Sequence, residues 1–173
     1  MSDTRELRLV SWNVNGLRAV MRKDPDFEQV VRMTDADVFA IQETKLQEAQ
    51  LAKLGLELPS YHRTWSHAER KGYSGTAVFS REEPLRVLHA DAMLPVAHEV
   101  LSASDEELLA VAATEGRVCA LEFERYWFVD VYTPNAQNEL RRIDTRMAWD
   151  DAYREWLRRL AQEKPVVTCG DFN

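Results

Sequence analysis

The stretch Leu7-Arg8-Leu9-Val10-Ser11-Trp12 is a short, mainly apolar run that ends abruptly at the polar residue Asn13. Three further runs end in the same way, at residues whose side chains suit metal and phosphate chemistry. They are residues 38–41 before Gln42 and Glu43, residues 128–132 before Pro134 and Asn135, and residues 166–169 before Gly170, Asp171 and Asn173. If these runs are buried strands, they deliver oxygen-bearing side chains to one edge of a sheet, where loops admit a substrate.

Length and composition predict one globular domain. The chain has 173 residues, of which 45% are hydrophobic, so it can bury a sizeable core. No stretch approaches the roughly 20 uninterrupted apolar residues of a membrane span, and the first residues are charged instead of forming a signal peptide. We therefore predict a cytoplasmic protein without a membrane partner. Cys119 and Cys169 lie in apolar runs, which is typical of buried free thiols.

The negative charge is concentrated in one segment. The formal net charge is −7, from 22 Lys and Arg against 29 Asp and Glu. Residues 82–115 contain eight acids and a single base, Arg86, so the remainder balances at 21 bases (22 − 1) and 21 acids (29 − 8). A neutral body with a local acidic flap can still present a basic face to DNA, particularly if divalent cations offset the carboxylates.

Strand-like runs alternate with helical patterns, which predicts an α/β or α+β layered fold. The clearest helix covers residues 142–162, because Trp149, Tyr153, Trp156, Leu157 and Leu160 share one stripe and are expected in the core. We predict further helices at residues 27–33 and 47–54, and further strands at residues 61–66, 76–80, 85–89 and 118–123.

The acidic part of the chain, residues 90–116, is interpreted as an insertion that carries one short surface helix. Ser104 and Glu107 have capping-box spacing before residues 108–113, and Gly116 provides a helix end. The insertion is either a solvated excursion with no role in chemistry or a flap that contacts a partner or the substrate.

Glu43 is the first candidate metal ligand. It follows a strand and stands beside Thr44 and Lys45. Mg²⁺ prefers hard oxygen ligands and takes only one or two protein carboxylates while a substrate phosphate completes its shell. A single Glu, Asn13 or Asp171 is more often an ordinary surface, turn or cap residue. The recurrence of such residues after several strands is what favours a site.

The ordered motifs resemble the exodeoxyribonuclease III family of apurinic/apyrimidinic endonucleases. The match covers nearly the whole chain apart from residues 82–114, and seven motifs in order are specific. They are Ser11-Trp12-Asn13-Val14-Asn15-Gly16-Leu17-Arg18-Ala19, Ile41-Gln42-Glu43-Thr44-Lys45, Gly72-Tyr73-Ser74-Gly75-Thr76, Glu115-Gly116-Arg117, Tyr132-Thr133-Pro134-Asn135, Arg146 to Trp149-Asp150, and Cys169-Gly170-Asp171-Phe172-Asn173.

The resemblance implies a DNase I-like four-layer sandwich of two packed sheets with outer helices. It also implies Mg²⁺-dependent hydrolysis of DNA phosphodiesters at abasic sites and cleaning of 3′ ends by 3′–5′ exonuclease action, with Mn²⁺ as a possible substitute cation. The implied substrate is double-stranded DNA with abasic sites or 3′ ends, and no obligate protein partner is expected.

The resemblance also implies roles for individual residues. Glu43 resembles the principal metal ligand and Asn13 a residue at the metal and phosphate site. Asp171 resembles the carboxylate that aligns or deprotonates the attacking water. The catalytic set is completed by the phosphate-contacting residues Tyr132, Asn135 and Asn173. Residues near the DNA are Arg18, Lys45 and Tyr73.

The family pattern differs from this sequence in two respects. The acidic insertion is longer than expected, and the family places a further Asp and a His downstream of the Gly-Asp-Phe-Asn motif. We therefore expect residues 1–173 to be an incomplete domain that is poorly stable and inactive by itself. Two other functions stay open, another phosphoesterase of the same fold, acting on inositol phosphates or phospholipid headgroups, and a noncatalytic DNA-binding module.

Overall fold

Two four-stranded sheets face each other and carry helices on their outer sides. The computed structural model describes residues 6–173. The strand order in sheet A is β1 (Leu9–Asn13), β2 (Val38–Gln42), β4 (Thr76–Ser80) and β3 (His62–Ser66). The strand order in sheet B is β5 (Arg86–Leu88), β6 (Val118–Glu122), β7 (Trp127–Tyr132) and β8 (Val166–Asp171). Each sheet contains one parallel pair, β1 with β2 and β7 with β8.

The helices form the two outer layers, which confirms the predicted four-layer fold. The helices within the first half of the chain are α1 (Leu17–Val20), α2 (Phe27–Thr34) and α3 (Glu48–Leu51). The later ones are α4 (Leu94–Val100), α5 (Ala103–Ala113) and α6 (Ile143–Glu163). Leu17 and Phe27 pack against the outer face of sheet A, and Trp149 packs against the outer face of sheet B. Helix α3 is shorter than predicted.

The space between the sheets is a third packed layer, which we call the middle layer. Along β7, Phe128 faces the middle layer while Val129 and Val131 face α6, because successive strand residues point to opposite sides. Strand β2 lies opposite β7, and β1 lies opposite β8. The predicted core stripe of α6 is confirmed, since Trp149 and Trp156 are buried. Cys119 and Cys169 are both free thiols, and Cys119 is buried.

The acidic segment contains more regular structure than the sequence analysis predicted. A 3₁₀ turn at Ala90–Met93 and helix α4 precede α5. The expected capping box at Ser104 is wrong, because α5 begins earlier and the Ser102 hydroxyl accepts the hydrogen bond from the Asp105 amide at 3.3 Å. Met93 and Leu109 are buried in the same cluster as Trp149, so one side of the segment is part of the core. That the segment is an insertion stays a prediction.

Among residues 6–173, no helix is both long enough and apolar enough to cross a bilayer.

Candidate functional site

Four strands bring their carboxyl ends to one edge of the sandwich. Asn13 is the last residue of β1 and is in register with Gln42 at the end of β2. Tyr132 is the last residue of β7 and is in register with Asp171 at the end of β8. Because each pair is parallel and the two pairs face each other, the polar residues that follow these strands meet at one place.

The Asn13 amide joins carboxylates from the two sheets. Its Nδ2 donates to Glu43 Oε1 at 3.0 Å and to Asp171 Oδ2 at 2.7 Å. The Asn13 Oδ1 accepts from the backbone N–H of Asn15 at 2.9 Å, which fixes the orientation of the amide. Two acidic groups from distant parts of the chain therefore converge on a single side chain, as expected from the sequence.

Glu43 reaches this position because its backbone leaves the strand geometry. Its φ is 56°, in the left-handed region, so the side chain does not follow the strand alternation. Lys45 Nζ lies 3.1 Å from Glu43 Oε2. Partial burial acts to raise the pKa of the Glu43 carboxyl, but hydrogen bonds from Asn13, Lys45 and Tyr132 outweigh it and hold the pKa below its usual value. Burial, followed by the neighbouring Glu43 carboxylate, raises the pKa of the Tyr132 phenol.

The two predicted phosphate-binding amides lie next to each other. Asn135 Nδ2 donates to Asn173 Oδ1 at 3.1 Å, and Asn173 Nδ2 donates to the Thr133 carbonyl at 2.7 Å. The backbone N–H of Asn173 donates to Asp171 Oδ1 at 3.0 Å. Together with the contacts of Asn13 and the hydrogen bond between Tyr132 and Glu43, these bonds connect all the predicted metal-binding and catalytic residues into one cluster. Their roles stay predictions.

Arg117 is a site residue to which the sequence analysis gave no role. Its guanidinium is buried and lies 4.7 Å from the centroid of the Tyr132 ring. It donates to the Tyr132 carbonyl at 2.9 Å and to the Tyr73 hydroxyl at 3.0 Å. Glu115 Oε2 accepts from its Nε at 2.7 Å, and Arg142 reaches the same Glu115. The only signal was the Glu-Gly-Arg motif itself.

Gly170 allows β8 to approach β7 closely. Its φ is 141°, and a Cβ at this position would lie 1.9 Å from the carbonyl oxygen of Val131. No side chain fits there without a backbone shift. The separation between Tyr132 and Asp171, the next residues of the two strands, therefore depends on this contact.

A basic groove adjoins the cluster. It has a volume of about 450 Å³, and Arg18, Arg22, Lys45 and Gly72 are among the residues that line it. The predicted DNA-contacting residues Arg18 and Lys45 therefore lie together, and Tyr73 follows Gly72 in the chain. Within residues 6–173, Arg18 and Arg22 form no ion pair with a carboxylate, so both cations are available to a phosphate backbone.

The cluster fits a hard divalent cation. Residues 6–173 contain no group of three His, Cys, Asp or Glu side chains arranged to hold a metal. They do provide two carboxylates, Glu43 and Asp171, within hydrogen-bond distance of one amide nitrogen. One or two carboxylates with amide oxygens and water is the donor set that Mg²⁺ takes when substrate phosphate supplies the remainder.

Comparison with known proteins agrees with this geometry. Residues 10–173 match the model of the Endonuclease/Exonuclease/phosphatase family. The chain belongs to this family. It is a metal-dependent nuclease family. The chain is 44% identical to an exodeoxyribonuclease of Bacillus subtilis over 167 residues, covering 96% of this chain and 58% of that protein. It is 36% identical to the DNA repair nuclease APEX1 of Danio rerio over 170 residues, covering 96% of this chain and 49% of that protein. The resemblance found in the motifs is thus confirmed.

Solved structures show the same fold. The catalytic domain of Xenopus laevis APE2 superposes with a TM-score of 0.78 at 24% identity, covering 96% of this chain and 58% of that one. A variant of the 3′ phosphatase NExo from Neisseria, bound to a product DNA hairpin, gives a TM-score of 0.70 at 22% identity, covering 95% of this chain and 57% of that one. In both kinds of comparison, this family member spans about half the length of the proteins it matches.

Proposed function

We propose that the protein is a DNA-repair phosphodiesterase that cleaves DNA at abasic sites and removes nucleotides or blocking groups from 3′ ends. The observation that carries the proposal is the convergence of Glu43 and Asp171 on the Asn13 amide, with Tyr132 bonded to Glu43. Attack of water on a phosphodiester needs an activated nucleophile and neutralisation of the charge that grows on the phosphoryl oxygens. The cluster provides groups for both.

Glu43 would hold Mg²⁺, or Mn²⁺ in its place, through its carboxylate. Asn13 would join it through Oδ1 once its amide turns over, because in this structure Nδ2 faces the carboxylates and Oδ1 accepts from the Asn15 N–H. When bound, the cation neutralises charge on the phosphoryl oxygens and on the departing 3′ oxygen. The hydrogen bonds from Asn13, Lys45 and Tyr132 that lower the pKa of the Glu43 carboxyl also hold the ionised group in one orientation at the proposed cation site.

Asp171 would align the attacking water and accept its proton. Its carboxylate is held from two sides, by the Asn13 amide and by the backbone N–H of Asn173, which is the arrangement that fixes a base in one orientation. The side-chain amides of Asn135 and Asn173 would donate to nonbridging phosphate oxygens. The Tyr132 phenol would stay protonated, as its raised pKa requires, and would donate to the scissile phosphate.

DNA would lie over the basic groove beside the cluster. Arg18, Arg22 and Lys45 would contact backbone phosphates, and Tyr73 would lie near the duplex where its hydroxyl is fixed by Arg117. Selectivity for abasic sites would follow if the pocket admits only an extruded sugar that lacks a base, since the missing base also lowers the free energy of unstacking. The cytoplasmic location stays a prediction.

The test uses the natural full-length protein and a duplex with one abasic site. We expect Glu43→Gln and Asp171→Asn each to lower the Mg²⁺-dependent cleavage rate by on the order of 10²-fold or more. The affinity for the duplex should change much less, because the basic groove is intact. Glu83→Gln is the matched control and should cleave normally, because Glu83 is exposed and follows β4 at the end that pairs with Val38, the opposite end of β2 from Glu43.

Three results would contradict the proposal. Unchanged cleavage by both site variants would remove these residues from the chemistry. A wild-type protein that hydrolyses inositol phosphates but leaves the abasic duplex intact would be another phosphoesterase of the same fold. Duplex binding with no metal-dependent cleavage would identify a noncatalytic DNA-binding module.

A further inference from the structure

A chain of polar side chains lies in the middle layer directly behind the site. We call it the Gln42 network, and its members are Ser11, Gln42, Asp130 and Cys169. Each member is on a different one of the four strands that end at the site, with β1 and β2 from sheet A and β7 and β8 from sheet B. The network therefore touches every strand that carries a predicted site residue.

The spacing along each strand is regular. Three members precede a site residue by two positions, so they share its side of the strand, and the fourth immediately precedes Glu43. The pairs are Ser11 with Asn13, Asp130 with Tyr132, Cys169 with Asp171, and Gln42 with Glu43.

Gln42 is the centre of the network. Its Nε2 donates across the middle layer to Asp130 Oδ1 at 2.5 Å and along sheet A to Ser11 Oγ at 3.1 Å. The Ser11 hydroxyl in turn is hydrogen-bonded to the Cys169 thiol. Sheet A is thus tied to sheet B at two points next to the site, by Gln42 to Asp130 and by Ser11 to Cys169.

Packing does not explain this arrangement. Gln42 is 1% exposed and Asp130 is fully buried, and Asp130 Oδ2 has no hydrogen-bond partner within residues 6–173. Burial raises the pKa of the Asp130 carboxyl well above its usual value, so the carboxyl is held towards its neutral form. A buried polar group with an unpaired oxygen is unfavourable, and an apolar pair of similar volume would pack at least as well.

The directionality of hydrogen bonds explains why polar side chains are buried at this place. Within each sheet, backbone hydrogen bonds fix the spacing of neighbouring strands, whereas the contacts between the two sheets in the middle layer are made by side chains. Apolar contacts are non-directional and tolerate small sliding, while a hydrogen bond restricts both distance and angle. The site needs such a restriction, because Asn13 and Glu43 belong to sheet A and Asp171 and Tyr132 to sheet B.

We infer that Gln42 and Asp130 are positioning residues that hold the two sheets in the register at which Asp171 lies beside the cation site of Glu43 and Asn13. The inference rests on the proposed function. Outer groups that orient metal ligands typically change metal affinity or activity by about 10- to 100-fold when they are removed. The same range is expected here.

The test compares variants that break the hydrogen bonds with one that keeps them, in the natural full-length protein. Gln42→Leu and Asp130→Val remove the contact between the sheets. Asp130→Asn keeps an oxygen that accepts from Gln42. Ser11→Ala removes the hydrogen bond from Gln42 along sheet A and the contact with Cys169, but leaves the bond between Gln42 and Asp130, at a position that is exposed within residues 6–173. For each, kcat and KM on the abasic duplex, Mn²⁺ affinity without DNA by titration calorimetry, and the free energy of unfolding are measured.

Thr76→Val is the matched control. Thr76 is buried and its Oγ1 lies 3.5 Å from Cys119 Sγ, a polar contact that also joins the two sheets. It links β4 to β6, which carry no predicted site residue. Removing it should lower stability without changing Mn²⁺ affinity or kcat.

We expect Gln42→Leu and Asp130→Val to weaken Mn²⁺ binding and lower kcat by about 10- to 100-fold with a smaller change in KM. Asp130→Asn should stay within about threefold of the wild type, and Ser11→Ala should fall between them. If Gln42→Leu and Asp130→Val do not fold, Ser11→Ala and Asp130→Asn decide the inference. Ser11→Ala must then bind Mn²⁺ more weakly and have a lower kcat than Asp130→Asn.

The inference is overturned if Asp130→Val or Ser11→Ala binds Mn²⁺ like the wild type, or if Asp130→Asn is as defective as Asp130→Val. Glu43→Gln separates this failure from failure of the proposed function. If Glu43→Gln abolishes Mn²⁺ binding and cleavage while the network variants have no effect, only the inference is wrong. If Glu43→Gln has no effect either, the proposed function is wrong.

Discussion

The two ends of the middle layer are built from different kinds of residue. At the end far from the site, Val38, Leu121, Phe123 and Phe128 form a continuous apolar cluster. At the site end, the same layer holds the Gln42 network and leads into the cluster of Asn13, Glu43 and Asp171. The same pair of sheets thus provides packing at one end and directional contacts at the other.

This difference separates stability from chemistry along a single layer. Burial of apolar area stabilises the sandwich wherever it occurs, so the far end can supply it without any specific geometry. The site end gives up part of this stabilisation, because buried amide and carboxyl groups gain little net free energy from being paired. Substitutions at the two ends should therefore have different consequences.

The largest expected effect on stability is at the apolar end. Phe128 is fully buried, and Phe128→Ala should lower the free energy of unfolding by about 3–5 kcal/mol through lost burial and the cavity that remains. Urea unfolding measures this change. The cleavage rate per folded molecule should be close to that of the wild type. A fall in kcat larger than the loss of folded protein would show that the two ends are not separate.

The next effect is on the pH dependence of the free energy of unfolding, and it comes from the Asp130 carboxyl at the site end. Because the pKa of Asp130 is raised in the folded state, the folded protein binds more protons than the unfolded one above pH of about 3.9. The stabilising contribution is complete below that pH and is lost as pH rises towards the folded pKa. Because one proton is involved, the free energy of unfolding cannot change by more than about 1.4 kcal/mol per pH unit through this group.

Asp130→Asn removes this titration. The variant should gain stability relative to the wild type as pH rises from 5 to 8, because the wild type must increasingly ionise a buried carboxyl. Urea unfolding of both proteins across this range gives the difference between their free energies of unfolding at each pH. The contributions of all other titrating groups cancel in this difference. A flat difference curve would mean that Asp130 does not titrate differently on folding.

The smallest expected effect on stability is at the start of α5, outside the middle layer. It is a reference for the substitutions within that layer. Ser102→Ala removes the N-cap of α5 and should lower the free energy of unfolding by about 1 kcal/mol, with no effect on cleavage. Ser104→Ala is the control, since the Ser104 side chain does not cap the helix, and it should change stability by much less. Equal losses from both would restore Ser104 as a capping residue.

Much of the fold could be predicted because it depends on short-range patterns. Strand β4 lies where the apolar run of residues 76–80 predicts it, and the site strands end at the polar residues that the sequence singled out. The apolar stripe that includes Trp149 and Trp156 predicted which face of α6 is buried. These features follow from period and from the abrupt change to polar residues, both of which are visible along the chain.

The rest depends on pairings that no local pattern contains. Asp130 lies inside the run of residues 128–132, and its partner Gln42 is 88 positions away in the other sheet. Arg117 is buried because Tyr73, Tyr132 and Glu115 surround it, and these arrive from three different parts of the chain. Ser102 and Ser104 are equally good caps in sequence, so only the entry of the chain into α5 decides between them.

The tryptophans are divided unequally between the outer layers, and this gives the molecule a built-in optical probe. Trp127, Trp149 and Trp156 are buried in the cluster between α6 and sheet B, whereas Trp12 and Trp65 are only partly buried beside sheet A. Intrinsic fluorescence emission should therefore be blue-shifted for the first group and redder for the second. Loosening of α6, whose Arg146 reaches the carbonyl of Asn173 at 3.1 Å, would be visible as a red shift without any added label.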